Sequence, residues 1–420
     1  MNILLLNTYS HGGAGIACRR LLDGLRAIRQ TANSKQQTAT EQPSNLSAQL
    51  LTAADVGSRW PFYAERLAFL PHERDKSVRF AFSPANFGKD LSRHPLVQQA
   101  DVLHLHWVNQ GLLSLRGIAQ LGALGKPMVW TLHDTWAFTG GCHIFTDCDH
   151  FRQSCGHCPY LRRPSAGDLS HRVWAEKQRL FPKNIQFVTC SAWLRDLALS
   201  SSLLRERSIE VIPNPIDTGV FRPASGAERA DFRRVMGITP EAKVLLFVAM
   251  NLRDAHKGFR FLPEALRILK AQQPDLQLEV VVLGKSEPEA LAALPYPVHA
   301  LGLVQGAEKL ARIYGAADVF VTPSLADNLP NTVMESLACG TPVVGFRTGG
   351  IPEMVGHLRE GFIARQGDSA DLAEGIRWVF SGAVPMEVLQ KNARQKVVAE
   401  YANEVVAGRY AEVYGAQASR

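Results

Sequence analysis

Short apolar runs recur along the chain, and segments with helical periodicity separate them. In the first half these runs predict strands at residues 3–6, 49–52, 102–106, 128–132 and 187–190. In the second half they predict strands at residues 244–249, 278–283, 319–322 and 342–346. Continuous apolar runs of this length are typical of buried parallel strands. The alternation of strands with helices therefore predicts an α/β protein with a parallel sheet in each half.

Two prolines mark a boundary between the halves. Pro213 and Pro215 lie in the segment 211–217, where they end a strand and fix the direction of the chain. We therefore expect a first domain over residues 1–217 and a second over residues 218–395. Residues 396–420 continue as an amphipathic helix, which we expect to pack back on the first domain. A polar stretch from residue 30 to residue 46 predicts a long surface loop.

The length and net charge of the chain limit the number of domains and the kinds of partner that we expect. A chain of 420 residues is long enough for two domains with separate cores, and its net charge of +7 is mild. Part of that charge lies between Arg152 and Glu210, where basic residues outnumber acidic ones. Such a segment either binds anionic lipid or is an ordinary solvated surface. No dense Lys/Arg block or RNA-binding signature accompanies it, so nucleic acid is not an expected partner.

The amino-terminal sequence bears on location. Met1 and Asn2 lead directly into a predicted strand, without the basic region and cleavage site of a signal peptide. No apolar run approaches the roughly 20 residues that span a bilayer. We therefore expect a cytoplasmic protein, and the basic segment leaves open a peripheral contact with the cytoplasmic face of the inner membrane.

The topology of parallel sheets selects candidate site residues before any motif does. Ligands of open parallel sheets bind beyond the carboxyl ends of the strands. The residues that follow predicted strands are Gly12, Gly13 and Gly15, His106, His133, Lys257, and the segment 324–335. A glycine-rich turn lets a helix amino terminus approach an anion, but a structural tight turn fits equally well. A lone histidine or loop lysine is more often structural or solvated, so these residues need further support.

Two acids of the segment 324–335 are eight residues apart. Pro330 is suited to the first turn of a helix and Gly340 to its carboxyl-terminal cap. Asp327 then lies in the loop before this helix, and Glu335 lies within it. Asp327 and the amino terminus of this helix could then bind the same ligand. The alternative is an acid that offsets the helix dipole and an unrelated surface glutamate.

Taken in order, these motifs resemble glycosyltransferase family 4, the retaining GT-B glycosyltransferases. The resemblance is carried by the glycine-rich first turn, His133, residues 211–217 with Phe221, Lys257-Gly258, and residues 317–324, 335–344 and 349–353. Residues 130–142 resemble the bacterial exopolysaccharide and colanic-acid-type transferases. The resemblance implies two Rossmann-like domains whose parallel sheets face each other across a cleft. It also implies transfer of a sugar from a nucleotide-diphosphate sugar to a polysaccharide or lipid-linked oligosaccharide.

The resemblance assigns roles to residues of both domains. In the acceptor-side first domain it implies that His133 contacts the sugar near the anomeric centre. Gly12, Gly13, Gly15 and His106 would form an acceptor or phosphate loop. In the donor-binding second domain, Lys257 would neutralise the diphosphate, Asp327 would contact the transferred sugar and Glu335 would bind the ribose. The remaining donor-binding residues would be Arg253, Asn328, Leu329, Gly349 and Gly350.

Two departures from the family pattern leave an alternative function open. Asp327 stands where the family has a glutamate, and its side chain is shorter by one methylene. Arg253 stands near, but not at, the position of the usual arginine. An inactive GT-B-like scaffold of a polysaccharide assembly complex is therefore the alternative to an enzyme. For the enzyme, we expect no cofactor for catalysis.

Four cysteines form a separate cluster with the spacing C-x5-C-x6-C-x2-C. Cys142, Cys148, Cys155 and Cys158 fit a structural zinc site, because Cys155-Gly156-His157-Cys158 has the spacing of a zinc knuckle. Four unliganded cysteines in the loop 142–158 are the alternative, and His143, His150 or His157 could replace a thiolate. A zinc site here would staple the loop after His133, and in a scaffold it would make a zinc-stapled interaction module.

Overall fold

The computed structural model describes residues 1–35, 46–57, 59–145 and 147–419, with backbone alone at residues 31–35. The chain folds into two compact units. The first comprises Met1–Pro215 together with Asn403–Arg420, and the second comprises Ile216–Ala402. Helices and strands are numbered in chain order. Each unit contains one six-stranded sheet with parallel pairing throughout, which confirms the predicted α/β class.

The sheet of the first unit has the strand order β2-β1-β3-β4-β5-β6. Its strands are β1 (Asn2–Leu6), β2 (Ser47–Leu51), β3 (Val102–Leu105), β4 (Met128–Leu132), β5 (Ile185–Thr189) and β6 (Ile209–Val211). Its helices are α1 (Gly12–Lys35), α2 (Trp60–Phe69), α3 (Pro95–Gln99), α4 (Leu115–Gly122), α5 (Leu169–Leu180), α6 (Ala192–Leu199) and, at the carboxyl terminus, α15 (Asn403–Ala418).

Both faces of this sheet are buried, and alternate residues of each strand face opposite sides. Leu4 and Leu6 pack in one core cluster, whereas Ile3 and Leu5 pack in another that includes residues of α1 and α15. This two-sided burial explains why the strands read as continuous apolar runs.

The sheet of the second unit has the order β12-β11-β10-β7-β8-β9. Its strands are β7 (Lys243–Asn251), β8 (Leu278–Lys285), β9 (Val298–Gly302), β10 (Val319–Thr322), β11 (Val343–Phe346) and β12 (Gly361–Ala364). Its helices are α7 (Gly226–Val235), α8 (Phe261–Gln272), α9 (Pro288–Ala292), α10 (Ala307–Ala316), α11 (Asn331–Ala338), α12 (Ile351–Met354), α13 (Ser369–Phe380) and α14 (Met386–Glu400).

The direction of strand succession reverses once in each sheet. In the first unit it reverses between β1 and β3, and in the second between β7 and β10. Ligands of open α/β sheets bind at such switch points, beyond the carboxyl ends of the strands. The topology therefore directs attention to the loops after these four strands.

Helix α1 is longer than the sequence predicts. It begins at Gly12, so the predicted glycine-rich turn forms its start, and it continues to Lys35. The expectation of a loop from residue 30 is wrong for residues 30–35, because polar residues without glycine or proline extend a helix as readily as they form a loop. Residues 36–45 of that predicted loop lie outside the described residues.

Helix α15 belongs to the first unit although the second unit precedes it in the chain. It packs along α1 and buries Val406, Ala407, Tyr410, Val413 and Tyr414.

Across the described part of the chain, no helix combines the length and the apolar character needed to cross a membrane.

Candidate functional site

In the second unit, the loops after β7 and β10 are in direct contact. A short 3-10 turn over Ala255–Lys257 ends at Gly258, which has a φ of +66°. A Cβ on Gly258 would lie 1.8 Å from the carbonyl oxygen of Pro323. The amide of Leu325 donates to the carbonyl of His256 over 2.7 Å. These contacts hold Lys257 beside the segment that follows β10, at the switch point.

Lys257 and Asp327 form an ion pair at this place. Lys257 Nζ lies 2.6 Å from Asp327 Oδ2, and both side chains are mostly buried. Burial alone would lower the pKa of the Lys257 ammonium, but the charge of Asp327 and its hydrogen bond outweigh it, so the pKa is raised above its ordinary value. Lys257 is therefore a fixed cation at neutral pH.

The loop after β11 packs on the backbone of Asp327 and Asn328. Gly349 has a φ of +53°, and a Cβ there would lie 1.6 Å from the carbonyl oxygen of Asp327. The amide of Gly350 donates to the carbonyl of Asn328 over 2.7 Å. Only glycine at position 349 permits this approach, so the loop and the Asp327 segment form one surface.

Helix α11 follows the Asp327 segment directly. Pro330 is its amino-terminal cap residue, one position before the first helical residue Asn331. Gly340, with a φ of +74°, lies just beyond the carboxyl-terminal end, as the sequence predicts. Glu335 lies within the helix and is 6% exposed, and Leu329 is buried at the same depth. Glu335 is therefore a buried acid about one turn into α11, and not a surface glutamate.

Arg253 occupies a different environment. Its guanidinium pairs with the carboxylate of Glu287, and both side chains are exposed. This ion pair lies in solvent, whereas Lys257, Asp327, Asn328, Gly349 and Gly350 are joined by the contacts described above.

In the first unit, the residues after β3, β4 and β5 form a row in which His106 and Cys190 are buried and His133 is partly buried. His106 Nδ1 lies 3.0 Å from His133 Nε2, and His133 Nδ1 lies 3.4 Å from the Cys190 sulfur. Burial lowers the pKa of His133 to about 4 and that of His106 well below its ordinary value. Both imidazoles are therefore neutral at pH 7. His106 Nε2 is buried and has no hydrogen-bond partner among the described residues.

Asp134 organises the loop that follows β4. Its carboxylate accepts hydrogen bonds from Trp107 Nε1 at 2.7 Å, from the Trp136 amide at 2.8 Å and from His143 Nδ1 at 2.7 Å. Burial would raise the pKa of Asp134, but His143 and these hydrogen bonds outweigh it and lower the pKa below the ordinary range. The ionised carboxylate thus fixes the loop next to His133.

The glycine-rich start of α1 lies at the same edge of the sheet. Gly12 and Gly13 are exposed, whereas Gly15 is buried, and a Cβ on it would lie 2.5 Å from the Tyr9 carbonyl oxygen. The ring of Tyr9 stacks on that of Trp107, with 5.8 Å between centroids. The predicted glycine loop is therefore adjacent to the residues that follow β3.

Three functional candidates of this edge were not predicted from the sequence: Trp107, Asp134 and Cys190. His143 was named only as a possible substitute for a zinc thiolate. Cys190 had a signal, because it follows β5, which pairs with β4 and so ends beside His133. Trp107 follows β3 in the same way. His143 comes from a loop without a strand to place it, and no pattern of the sequence links it to Asp134.

The four cysteines of the loop 142–158 line one small cavity of the first unit. The sulfurs of Cys142 and Cys158 are 3.9 Å apart, and the amide of Gly140 donates to the sulfur of Cys155 over 3.0 Å. Cys155, Gly156 and His157 all have positive φ values, which make a tight turn. Among the described residues, no group of three or more His, Cys, Asp and Glu side chains is arranged to hold a metal ion.

Two family models match the chain, one in each unit. Residues 52–220 match the model described as glycosyltransferase family 4, and residues 242–381 match the model described as glycosyl transferases group 1.

Curated relatives match over much of the chain. The D-inositol 3-phosphate glycosyltransferase of Pseudarthrobacter chlorophenolicus is 28% identical over 289 residues, which are 67% of this chain and 62% of the relative. WcaC of Escherichia coli K12, named for a candidate role as a colanic acid biosynthesis glycosyl transferase, is 29% identical over 60% of this chain and 59% of its own length. The matched region is thus slightly under two thirds of each relative.

Solved structures match over the whole chain. HepE of Anabaena, solved in complex with UDP, is 17% identical and superposes with a TM-score of 0.63 over 99% of this chain and 100% of its own. This likeness confirms the fold class that the sequence predicts.

Proposed function

The chain belongs to glycosyltransferase family 4, and from this membership we propose that it is a retaining hexosyltransferase. It moves a sugar from a nucleotide-diphosphate sugar to a polysaccharide or lipid-linked oligosaccharide acceptor, in the cytoplasm. The observation that carries the proposal is the Lys257–Asp327 ion pair at the switch point of the second sheet, enclosed by the Gly349 loop and followed by α11 with its buried Glu335.

Charge development explains why a cation is needed there. Breaking the bond between sugar and diphosphate leaves negative charge on the diphosphate and positive character on the sugar. A fixed cation stabilises the departing diphosphate without reorganising at the moment of reaction. We propose that the diphosphate takes Lys257 Nζ from Asp327, which frees the carboxylate to accept a hydrogen bond from a hydroxyl of the sugar.

The acceptor-side residues act without charge. His133 is neutral at pH 7, so its proposed contact with the sugar is a hydrogen bond and not an ion pair. No acidic residue of the site is assigned as a nucleophile. We therefore favour substitution on one face of the sugar, in which an oxygen of the departing phosphate accepts the proton of the acceptor hydroxyl, and the anomeric configuration is retained.

The donor can be identified by a thermal-shift panel of UDP-, GDP-, ADP- and TDP-sugars. UDP-sugars come first, because the structural relative HepE has been solved with UDP and with UDP-glucose. A donor at 100 times its Kd should stabilise the folded protein by about 2.7 kcal/mol. The variant Lys257→Ala should show a reduced shift with the same donor. If no nucleotide sugar stabilises the wild-type protein, the donor site is wrong.

Turnover separates an enzyme from the inactive scaffold. An active transferase should hydrolyse its donor slowly even without an acceptor, and nucleotide release can be followed by coupled assay. A donor that binds tightly and is never turned over, alone or with membrane-derived glycan acceptors, would favour the scaffold.

We also propose a structural zinc at Cys142, Cys148, Cys155 and Cys158. Sulfurs around a tetrahedral zinc with bonds of about 2.3 Å are roughly 3.8 Å apart, close to the 3.9 Å between Cys142 and Cys158. The thiols of Cys148 and Cys155 line the same cavity, and zinc binding would require their side chains to move, because the described side chains are not arranged to hold a metal ion. The proposal thus completes a partly formed ligand set.

A buried lysine supports this proposal. Lys177 is fully buried, and its Nζ donates to the carbonyls of Trp136 and Thr139. Burial lowers the pKa of Lys177 to about 7, and the groups whose negative charge opposes this shift are the thiols of Cys155 and Cys142 and the carboxylate of Asp134. Thiolates bound to zinc would supply that charge.

Metal analysis of protein purified without a histidine tag tests the zinc site, and about one zinc per chain is expected. The double variant Cys142→Ser/Cys158→Ser should lose it, whereas Cys18→Ala, a buried cysteine of α1, should keep it. A metal-free preparation with full stability and activity would show that the thiols are unliganded.

A further inference from the structure

Helix α2 presents an apolar face to solvent. Trp60, Tyr63, Leu67 and Leu70 are 67%, 52%, 64% and 45% exposed. Their spacing of three and four residues places them on one side of the helix, over about 15 Å of its length. The solvent-facing side of a helix normally carries charged and polar residues, so an apolar side in this position is unusual.

The opposite side of α2 is firmly attached, which excludes a simple rotation of the helix. Pro61, Glu65 and Phe69 are buried there. The Glu65 carboxylate accepts hydrogen bonds from the amides of Asn86 and Phe87 at 3.0 and 3.1 Å. The apolar face is therefore held outward by the contacts of the inner side.

A second exposed aromatic extends this surface. Phe80 is 64% exposed, and the guanidinium of Arg66 lies over its ring at 4.5 Å from the centroid. Arg66 also donates to the carbonyl of Arg79. Arg66 thus joins α2 to Phe80 and adds a cation at the edge of the apolar face.

Basic residues border the end of α2. The Arg162 amide donates to the carbonyl of His72 over 2.9 Å, and Arg74 Nη1 donates to the carbonyl of Pro159 over 2.9 Å. Arg162 and Arg163 are exposed. The basic segment that begins at Arg152 therefore meets the chain just after α2.

We propose that this surface, formed by Trp60, Tyr63, Leu67, Leu70 and Phe80 with Arg66, Arg162 and Arg163, docks on an anionic lipid bilayer. Tryptophan and tyrosine favour the boundary between headgroups and acyl chains. Arginines beside them attract anionic headgroups and extend past apolar neighbours. Amphipathic helices that lie in a membrane surface combine tryptophan and leucine side chains towards the lipid with basic residues beside them.

The surface lies next to the acceptor-side residues of the first unit. A Cβ on Gly111 would lie 2.6 Å from the amide nitrogen of Phe62, so α2 packs against the loop after β3, which begins with His106. Docking would bring that loop towards the lipid headgroups. This deepens the proposed function where the acceptor is lipid-linked, but the surface and its test stand without any transferase activity.

Vesicle sedimentation of the full chain tests the proposal. Phosphatidylcholine vesicles that contain phosphatidylglycerol should bind the protein, and pure phosphatidylcholine vesicles should bind it much more weakly. Trp60→Ser/Leu67→Ser should reduce binding by at least about tenfold. Each substitution removes the free energy gained when an apolar side chain moves from water into the bilayer. Arg162→Gln/Arg163→Gln should reduce binding to the anionic vesicles by about fivefold per charge, and added salt should do the same.

Val235→Ser/Met250→Ser is the matched control, because these apolar side chains are also highly exposed but lie in the second unit. It should bind vesicles as the wild type does. Circular dichroism and the donor-induced thermal shift should be unchanged in all variants, so that a failure of the transferase proposal remains distinguishable. The proposal is overturned if the wild type does not bind anionic vesicles, if the α2 variant binds equally well, or if that variant only converts a dimer to a monomer in sedimentation velocity.

Discussion

At the scale of single residues, the Lys257–Asp327 ion pair leads to a direct prediction about the rate of the chemical step. Lys257 should face charge that grows as the diphosphate leaves. Lys257→Ala should therefore lower kcat by roughly 100- to 1000-fold, comparable to the loss of one oxyanion donor. Steady-state kinetics with the donor found in the thermal-shift panel measures this. Lys243→Ala, an exposed lysine at the start of β7, is the control and should keep wild-type kcat. A wild-type kcat in Lys257→Ala would remove the residue from the mechanism.

Glu335 leads to a different prediction, because a contact with the ribose has the same strength in the bound donor and in the transition state. Glu335→Ala should raise the donor KM while kcat changes little, since uniform binding is what the variant loses. A hydrogen bond to a charged acceptor contributes about 1.5–3 kcal/mol, so the rise in KM should be roughly 10- to 150-fold. A large loss of kcat at unchanged KM would assign Glu335 to the chemical step instead. Because the residue is buried, folding of the variant must be checked by circular dichroism.

The carboxylate of Asp134 should make the stability of the folded protein depend on pH in the acidic range. Its pKa is lowered in the folded protein, so its contribution to stability is complete above the ordinary pKa of about 4 and is lost as the pH falls below that value. Asp134→Asn should destabilise the protein at pH 7 and lessen the loss of stability between pH 5 and pH 3. Urea unfolding across this range measures both effects. Parallel pH profiles for wild type and variant would contradict the role assigned to this carboxylate.

At the scale of elements, Asp318 shows how a family motif residue acts through structure. Its buried carboxylate pairs with Arg229 and Arg233 of α7 and accepts a hydrogen bond from the amide of Val244. It thus joins α7 to the first residues of β7 and β10. Its place in the motif 317–324 is explained by this attachment and needs no contact with a ligand.

Removing that charge should loosen α7. Asp318→Asn leaves two arginines without their anion, and breaking such a buried pair costs about 3–5 kcal/mol. Asp231→Asn is the matched control, because Asp231 pairs with Arg234 and Arg312 in solvent and should cost about 1 kcal/mol or less. Thermal unfolding of both variants compares them. Equal melting temperatures would mean that Asp318 does not hold the helix.

Central strands could be predicted from the sequence, but two of the four edge strands could not. The predicted strands at residues 128–132 and 319–322 coincide with β4 and β10, because both are buried on two faces and read as unbroken apolar runs. β9 and β12 were missed, and both are outermost strands of their sheet. β9 is only partly buried, and β12 is four residues long and begins with glycine, so neither gives a clear pattern.

The candidate site divides in the same way. Residues placed by strand ends, such as His133 and Lys257, could be selected from the sequence by the switch-point rule. Contacts that loops make with one another could not, because no periodicity encodes them. The ion pair of Arg253 with Glu287 and the hydrogen bond of His143 with Asp134 are examples.

At the scale of the whole molecule, α15 makes the first unit depend on the last segment of the chain. Tyr414 and Tyr410 hydroxyls lie 2.7 Å from His104 Nδ1 and from Thr131 Oγ1, respectively, so the helix is hydrogen-bonded into the sheet as well as packed on α1. A chain that stops after Ala402 should therefore expose the core of the first unit and aggregate on expression. A chain that stops after Ala418 is the control and should remain stable. If the shorter chain has a wild-type melting curve, α15 is dispensable.

This return of the chain also sets an order for biosynthesis. The ribosome completes Met1–Pro215 early, but the partner helix of α1 emerges only after the 187 residues of Ile216–Ala402 have been made. At about 5–20 residues per second, that interval is roughly 10 to 40 s. During it the nascent first unit exposes the apolar strip that α15 will cover, while the second unit has all of its own sequence as soon as Ala402 is added. The carboxyl-terminal unit can thus complete its fold first, and the amino-terminal unit keeps the α1 surface uncovered for longer.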